Sequence, residues 1–381
     1  MKKYFCKVKS PSRVDLSGGT LDCWPLYLYF LPVSTVNASI NIYTQVELVL
    51  QKTKITIELP DLNKKYSFAS VKECLKSKDR HLSLLQAQLE FWKPKSDVYF
   101  KIIIKSDSPI GAGLGSSSSL CVSFAKVFQD FAKNNFCTKP VKDILKNNEF
   151  STNQIVNLSS NLEAKVLKMP TGTQDYFPAI NSGLHIIDYS QMGFTDNILN
   201  AKYLDNLEKH LSLVYTGQPH NSGISNWKVI KDYLDGSKNL SLVLKGLSDV
   251  SKEMKNLFQN LEKNQAKTQA QTKNIEKAQT KNLEKTKTQI QTQSKIFEQI
   301  PQLFAKELSL RKKLNSSFIT TEIENLRGLA LKFGGKEIKV CGAGSGGCVL
   351  VWVDPEKKLS LQKNLKKHKY KVLDFNFVNK K

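Results

Sequence analysis

One stretch of the chain, PIGAGLGSSSSL at residues 109–120, has the residue types of an anion-binding loop. Its glycines let the backbone turn sharply and come close to a ligand. Apolar residues then recur at helical spacing, at Leu120, Phe124, Val127, Phe128 and Phe131. A helix N-terminus has unpaired N–H groups and partial positive charge, and the anion it usually binds is phosphate. The stretch alone is about equally compatible with a phosphate site and with a turn that caps a core helix.

Two common nucleotide motifs do not fit this stretch. A Walker A loop needs a lysine after its last glycine, and residues 114–117 read LGSS. A dinucleotide fingerprint needs GxGxxG, whereas Gly111, Gly113 and Gly115 alternate. A nucleotide site here would therefore take its positive charge from another part of the chain.

The composition allows two domains and argues against several other classes of protein. The chain has 381 residues, of which 40% are apolar, and no apolar run long enough to span a membrane. The seven cysteines are scattered without a CxxC pair, and no histidine lies in a metal-binding frame, so we expect a reducing compartment and no zinc site. The first residues have no long apolar core, so we expect no secretory signal and a cytoplasmic location.

The net charge of +23 has two interpretations. It could serve an anionic partner such as nucleic acid, a membrane surface or a phosphorylated substrate. The lysines are spread rather than striped and no nucleic-acid-binding motif is present, so a solvated basic surface is the favoured interpretation.

Hydrophobic patterns predict where strands and helices lie. The first 60 residues are rich in β-branched residues and favour strands, and VYFKIIIK (98–105) is a clear strand that leads into the glycine stretch. GLHIIDYS (183–190) and LSLVYTG (211–217) also predict strands, whereas residues 225–330 are mostly helical in composition. The segment 262–295 is low-complexity and too poor in apolar residues to bury a helix face, which favours a solvated insertion over a basic helical arm.

Three stretches together resemble the motifs of the GHMP kinases, the family of galactokinase, homoserine kinase and mevalonate kinase. PIGAGLGSSSSL resembles the second motif, which wraps nucleotide phosphates. KSPSRVDLSGGTLD (9–22) is similar to the first motif, which lines the acceptor site, and KVCGAGSGGCVLV (339–351) is similar to the third, a supporting glycine loop. The three follow one another in the family's order over almost the whole chain.

A fourth stretch narrows the resemblance to the sugar kinase branch. NLEAKVLKMPTGTQDYFPAINSGLHIIDYS (161–190) resembles a pattern known from D-glycero-D-manno-heptose 7-phosphate kinase and fucokinase-type enzymes. Glu163 and Asp175 are twelve residues apart, as in that branch. LVYTGQPHNSG (213–223) also resembles a stretch of the branch.

The resemblance implies a two-domain α+β fold. A ribosomal-protein-like N-terminal domain would cover residues 1–190. A ferredoxin-like C-terminal domain would cover 191–381 and include the insertion 262–295. The active site would lie in the cleft between them, and the implied activity is transfer of the γ-phosphate of ATP, with Mg²⁺, to a hydroxyl of a sugar or sugar phosphate.

The resemblance also implies roles for individual residues. Asp175 would accept or orient the hydroxyl proton, with Arg13 beside it, and Ser117 and Glu163 would hold Mg²⁺. The predicted nucleotide-binding residues are Pro109, Gly111, Ala112, Gly113, Leu114, Gly115, Ser116, Ser117 and Ser118. The predicted acceptor-binding residues are Gly18, Gly19, Thr20, Asp22, Gly172, Tyr215 and Gly344. The expected partners are ATP and a small molecule, with the chain a monomer or homodimer and with no nucleic acid or membrane involved.

Two departures from the family patterns keep alternatives open. Galactokinases have Glu-His where Gly19 to Leu21 stand here, which disfavours galactose. Thr173 replaces a lysine of the heptose kinases and removes a positive charge near the phosphates. The alternatives are a mevalonate-type kinase of an isoprenoid acid, a catalytically silent nucleotide-binding regulator and, least favoured, a basic nucleic-acid binder.

Overall fold

The computed structural model describes residues 4–138, 149–199, 204–219, 222–273, 296–342 and 344–379. Within these ranges the chain forms eleven strands and eleven helices. The strands are β1 (Phe5–Ser17), β2 (Val33–Gln51), β3 (Ile55–Leu59), β4 (Lys64–Phe68), β5 (Tyr99–Ser106), β6 (Leu184–Ser190), β7 (Gly193–Leu199), β8 (Leu211–Tyr215), β9 (Gly335–Val340), β10 (Cys348–Val353) and β11 (Lys371–Leu373). The helices are α1 (Val71–Lys76), α2 (Ser83–Trp92), α3 (Ser116–Lys133), α4 (Thr152–Leu167), α5 (Tyr176–Ile180), α6 (Leu204–Lys209), α7 (Ser222–Leu234), α8 (Lys238–Lys273), α9 (Ile300–Leu314), α10 (Thr321–Lys332) and α11 (Pro355–Lys367).

The first sheet is built around the long strand β2. Strand β1 pairs antiparallel with β2 along its length, and the remaining strands follow the order β4-β3-β5-β2-β6-β7. β2 can pair with both β5 and β6 because its first half lies beside β6 and its second half beside β5. The expected domain boundary at 190/191 falls in the β6–β7 hairpin of this sheet and stays a prediction.

The second sheet has four strands in the order β11-β8-β10-β9. Numbered along the chain, this is the order 4-1-3-2, with helices between the first and second strands and between the third and fourth. That β-α-β-β-α-β arrangement is the ferredoxin-like motif that the resemblance implies. Helices α7 to α10 all lie in the connection between its first strand, β8, and its second strand, β9.

The two sheets share an apolar core. The first sheet packs one face on α2 and α3, where Trp92, Phe124 and Phe128 are buried. Its other side contributes to a core that also contains Leu350 and Trp352 of the second sheet. Because this core is continuous across the two halves, the loops between the sheets are held on one packed support.

The C-terminal residues return to the first sheet. Backbone N–H groups of Asn41 and Val378 donate to the carbonyl oxygens of Asn376 and Ser39, both at 2.9 Å. Ile40 and Phe377 form an antiparallel bridge between these two bonds. The end of the chain therefore adds a short extra pairing to β2.

Helix α8 runs into the low-complexity segment, so the segment does not start as a loop. Residues 262–273 continue the helix, because Gln, Lys, Glu and Ala are good helix formers. The rest of the segment, 274–295, lies outside the described residues. In the described part of the chain, no helix combines the length and apolar character needed to cross a membrane.

We predict that most of the low-complexity segment can be removed without loss of the fold. Leu261 and Ile296, on either side of it, are buried in the same apolar core. Replacing residues 263–294 by about eight Gly and Ser residues should change the free energy of unfolding by no more than about 1 kcal/mol, because Leu261 and Ile296 keep their buried contacts. Thermal melting followed by circular dichroism checks this, and a loss of cooperative melting would contradict it.

Candidate active site

The glycine loop before helix α3 adopts the shape of an anion cradle. Gly111, Gly113 and Gly115 have φ values of 65°, 70° and 69°, which other residues adopt only with strain. Gly115 is the N-cap of α3, and within the described residues no side chain bonds the free N–H groups of its first turn. Those N–H groups and the helix dipole are therefore available to a phosphate.

The C-terminal glycine loop holds this cradle by direct backbone contact. The N–H of Cys348 donates to the carbonyl oxygen of Ala112 at 2.7 Å. A Cβ at Gly347 would lie 2.8 Å from the same oxygen, and one at Gly342 would lie 3.0 Å from the carbonyl oxygen of Gly113. The second domain thus supports the nucleotide loop, and two of its glycines allow the close approach.

Arg13 joins the first motif to both the cradle and Asp175. Its Nε and Nη2 lie 2.8 and 2.7 Å from Asp175 Oδ1, and its Nη1 donates to the carbonyl oxygen of Gly113 at 2.7 Å. The N–H of Arg13 also donates to the carbonyl oxygen of Leu114 at 2.9 Å. The side chain of Arg13 is 3% exposed and that of Asp175 is 20% exposed, so solvent and salt screen their attraction less than they screen a surface pair.

Asp175, the predicted catalytic carboxylate, lies at the start of helix α3. A Cβ at Gly115 would stand 3.1 Å from Asp175 Oδ2. The aspartate itself follows the turn of residues 171–174 and begins the short helix α5. A carboxylate, a guanidinium and a row of free N–H groups therefore meet at one point.

Glu163 lies behind the serines of the first turn of α3. Its Oε2 accepts hydrogen bonds from the hydroxyls of Ser118 at 2.9 Å and Tyr176 at 2.6 Å. Burial raises the pKa of Glu163, while hydrogen bonds from Ser117, Tyr176 and Ser118 oppose that rise. Ser117, the predicted metal ligand, is thus close to Glu163 and exposed on the cradle side.

These oxygen donors fit a magnesium ion that is shared with a nucleotide. Mg²⁺ prefers carboxylate and hydroxyl oxygens, keeps several waters and is commonly held by one or two carboxylates plus phosphates. Across the residues that the structure describes, no group of three His, Cys, Asp or Glu side chains is arranged to hold a metal alone. Glu163 and Ser117 would supply the protein's share of such a site.

Asp22 and the turn at 172–174 form a second group next to the cradle. Asp22 Oδ2 accepts from the backbone N–H of Gln174 at 3.1 Å, and a Cβ at Gly172 would lie 2.1 Å from that oxygen. Thr173, which replaces the lysine of heptose kinases, places its hydroxyl 3.4 Å from the carbonyl oxygen of Asp22. The turn therefore faces the first motif.

Asp22 has a perturbed acidity. Burial raises its pKa to about 7, and the nearby charge of Asp175 adds to the effect. The hydrogen bond from Gln174 and the charge of Arg13 act in the opposite direction. A carboxyl group that is partly protonated near neutral pH can both donate to and accept from hydroxyl groups.

The other predicted acceptor residues fall into two sets. Gly18, Gly19 and Thr20 belong to the turn before Asp22, and the hydroxyl of Thr20 donates to Asn226 Oδ1 at 3.0 Å. Tyr215, at the end of β8, and Gly344, in the loop between β9 and β10, do not belong to this turn. The Tyr215 hydroxyl donates to the carbonyl oxygen of Ile110 in the cradle at 3.4 Å.

Gly344 packs against a short turn of the second domain. A Cβ at this position would lie 2.5 Å from the carbonyl oxygen of Phe318 in the turn Ser316–Phe318. Neither this contact nor that of Tyr215 involves the Asp22 group. An acceptor-binding role for these two residues therefore remains a prediction.

Sequence reasoning missed several residues of the site. Tyr176 could have been predicted from the sequence, because it follows Asp175 directly in the motif. Its hydroxyl donates to Glu163. Asn226 and the buried charges Glu307 and Arg311 carry no such signal, because they belong to helices outside the motifs. Only the folded chain brings them to the first motif.

Comparison with known proteins finds a family model in each half of the chain. The family model described as GHMP kinases N terminal domain matches residues 80–183, and the one described as GHMP kinases C terminal matches residues 298–371. A curated relative from Campylobacter jejuni, D-glycero-alpha-D-manno-heptose 7-phosphate kinase, is 25% identical over 380 residues, which cover 98% of this chain and 96% of the relative.

Solved structures share the fold at lower sequence identity. A D-glycero-D-manno-heptose 1-phosphate kinase from Bacteroides thetaiotaomicron superposes with a TM-score of 0.65 at 17% identity, covering 99% of this chain and 97% of its own. The mevalonate kinase of Methanococcus jannaschii gives 0.64 at 19% identity, with 99% of each chain covered. The fold is thus common to kinases with quite different acceptors.

We predict that Asp22 makes stability depend on pH. Its pKa is raised from 3.8 to about 7 in the folded chain, so the folded state binds its proton more tightly than the unfolded state. The free energy of unfolding should therefore fall by about 2 kcal/mol between pH 5 and pH 7 and change little above pH 7.5 through this group. In Asp22→Asn this decline should disappear, because asparagine does not titrate yet can still accept from Gln174.

Urea unfolding across pH 4.5–8 measures the effect as the difference between the two proteins at each pH. Titrating groups distant from Asp22 behave alike in both proteins, so they cancel in that difference. Parallel curves for wild type and Asp22→Asn would refute the raised pKa of Asp22.

Proposed function

Because this chain has both the N-terminal and the C-terminal domain of the GHMP kinases, we propose that it is an ATP- and Mg²⁺-dependent kinase of a sugar or sugar phosphate. One observation carries the proposal. The Asp175 carboxylate, paired with Arg13, lies at the N-terminus of helix α3 beside free backbone N–H groups. A phosphoryl group and an acceptor hydroxyl need these groups together.

The nucleotide phosphates would bind to the glycine cradle. The N–H groups of the first turn of α3 would contact phosphate oxygens, and the glycine conformations let the backbone approach them. Arg13 would supply the positive charge that a Walker lysine gives elsewhere. Since Arg13 already bonds the cradle at Gly113, its charge is fixed in place before any ligand binds.

Asp175 would act on the acceptor hydroxyl. As the carboxylate next to the cradle, it would orient this hydroxyl for in-line attack and accept its proton as the bond to phosphorus forms. Arg13 pairs with Oδ1 of Asp175. The other oxygen, Oδ2, lies toward Gly115 and would bind the acceptor hydroxyl. Fixed orientation of both reactants supplies part of the rate gain.

Glu163 and Ser117 would hold the magnesium ion. When bound, Mg²⁺ supplies charge neutralisation on the phosphate oxygens. The hydroxyls of Ser118 and Tyr176 fix the orientation of Glu163 and leave it as an oxygen donor toward the cradle.

The acceptor would be a sugar phosphate of the heptose kind. The full-length curated relative is named as a heptose 7-phosphate kinase, and Asp22 with the Gly18–Thr20 turn offers hydrogen-bonding groups suited to sugar hydroxyls. A mevalonate-type acceptor would make less use of Asp22. Thr173 in place of lysine is the feature that favours a silent regulator, and turnover of any acceptor excludes that alternative.

We further propose that the enzyme works in the cytoplasm as a monomer or homodimer. Among the residues that the structure describes, no disulfide joins any of the seven cysteines, which suits a reducing compartment. The expected ligands are ATP and one small molecule.

A substrate panel tests the proposed reaction. ADP release should be measured with heptose 7-phosphate, heptose 1-phosphate, fucose, galactose, mevalonate and phosphomevalonate. We expect turnover with a sugar or sugar phosphate. Turnover of mevalonate and no sugar would replace the proposed acceptor class.

Asp175→Asn tests the catalytic carboxylate. We expect kcat to fall by about 10²–10⁴ while ATP affinity stays within about threefold, since the side chain acts on the acceptor proton. Asp79→Asn is the matched control, because Asp79 is also ion-paired and part-buried but contacts Lys64 and Tyr66 outside the site. A wild-type kcat in Asp175→Asn would remove it from this role.

Glu163→Gln tests the metal site. The apparent affinity for Mg²⁺ should fall at least about tenfold, because a neutral amide is a poorer ligand for a hard cation. Calorimetric titration of a non-hydrolysable ATP analogue with and without Mg²⁺ measures this without turnover. Glu337→Gln is the control: Glu337 and Glu163 are both 5% exposed, and Glu337 pairs with Arg327 away from the cradle. Equal magnesium dependence in the two variants would contradict the assignment.

A further inference from the structure

Four charged side chains are buried together between the two sheets. Asp15 lies on β1, Glu307 and Arg311 lie one turn apart on α9, and Lys339 lies on β9. All four are at most 2% exposed. They link the strand that carries Arg13 to two elements of the second domain.

The cluster has a defined pattern of contacts. Lys339 Nζ lies 3.0 Å from Asp15 Oδ2 and 3.1 Å from Glu307 Oε1. Arg311 Nε lies 2.8 Å from Glu307 Oε1. Although burial favours the neutral acid, the charges of Lys339 and Arg311 hold the pKa of Glu307 below its ordinary value. Two acids and two bases therefore contact one another in a single buried group.

This cluster forms hydrogen bonds to the turn that leads to Asp22. Arg311 Nη2 donates to the carbonyl oxygen of Gly19 at 3.0 Å, and Ser17 Oγ donates to Glu307 Oε2 at 3.0 Å. A Cβ at Gly19 would lie 2.5 Å from Asp15 Oδ2 and 3.2 Å from Arg311 Nη2. The backbone of residues 17–19 is therefore enclosed by the cluster.

Stability alone does not account for this arrangement. Buried ion pairs often add little stability compared with apolar residues of similar volume, because the charges lose their hydration. Two atoms, Asp15 Oδ1 and Arg311 Nη1, are buried without a hydrogen-bond partner among the described residues, which adds a further cost. The charged cluster instead fixes the orientation of the Arg311 guanidinium, which donates to the carbonyl oxygen of Gly19.

We propose that Arg311 is a positioning residue for the acceptor: oriented by Glu307, it holds the carbonyl of Gly19 and so fixes the turn Gly18–Thr20 beside Asp22. The placement of the acceptor at this turn rests on the proposed function. The nucleotide cradle is held separately, by Arg13 and the C-terminal glycine loop. Loss of Arg311 should therefore weaken acceptor binding and leave ATP binding unchanged.

Arg311→Lys is the primary test, because lysine keeps the positive charge beside Glu307 but has no second nitrogen for Gly19. A second variant, Arg311→Met with Glu307→Met, removes the buried pair together with the hydrogen bond from Ser17 to Glu307, and leaves Asp15 paired with Lys339. The matched control is Arg327→Gln. Arg327 makes a two-point ion pair with Glu337 at 2.7 and 2.8 Å in the same domain, with no contact to the first motif.

Two readouts apply to all three proteins. Steady-state kinetics with the acceptor found in the substrate panel gives KM for acceptor and for ATP and kcat. Hydrogen exchange followed by mass spectrometry reports protection of peptides that cover residues 14–22. In both Arg311 variants we expect acceptor KM to rise at least about tenfold with ATP KM within about threefold, and exchange at 14–22 to accelerate at least about tenfold.

Each outcome decides the proposal. Arg327→Gln should lower the melting temperature without either change, which separates positioning from general stability. Wild-type acceptor KM and wild-type exchange in both Arg311 variants, or the same changes in Arg327→Gln, would overturn the role of Arg311. If the panel yields no turnover at all, the proposed function fails, and the exchange data alone still confirm or overturn the hold of Arg311 on the turn.

Discussion

The ion pair between Arg13 and Asp175 is the interaction on which the proposed site depends. It crosses 162 residues of sequence and lies beneath the first turn of helix α3. Because Arg13 also bonds the carbonyl of Gly113, one buried guanidinium sets the distance between the cradle and the carboxylate. Without it, the negative carboxylate next to a phosphate site would meet uncompensated repulsion. The rest of the fold holds these two side chains next to each other.

The two halves of the molecule support the site through backbone as much as through side chains. The C-terminal glycine loop meets the cradle at Ala112 and Gly113, where a Cβ on either partner glycine would collide. A continuous apolar core beneath the loops resists relative movement of the sheets. The second domain thus supports the nucleotide cradle, which belongs to the first domain. This explains how a site between domains can stay preorganised.

Much of this arrangement could be predicted from local sequence, and the remainder could not for a physical reason. The glycine-serine stretch, the strands around it and the pairing of Asp175 with the helix N-terminus follow from residue types and from the family resemblance. The grip of Arg311 on Gly19 does not, since an Arg and a Glu one turn apart on a helix usually form a solvated surface pair. Likewise, low-complexity composition at 262–273 did not reveal that α8 continues there, because helix propensity and solvation are independent properties.

The return of the C-terminus to β2 bears on how the chain is made. Residues 376–378 complete hydrogen bonds to Ser39 and Asn41, which are synthesised more than three hundred residues earlier. Domains of a growing chain tend to fold in order as they emerge from the ribosome. Here the pairing at residues 39–41 can form only after residues 376–378 have been made, so the first sheet of a growing chain stays incomplete at this point of β2 long after its own strands have emerged.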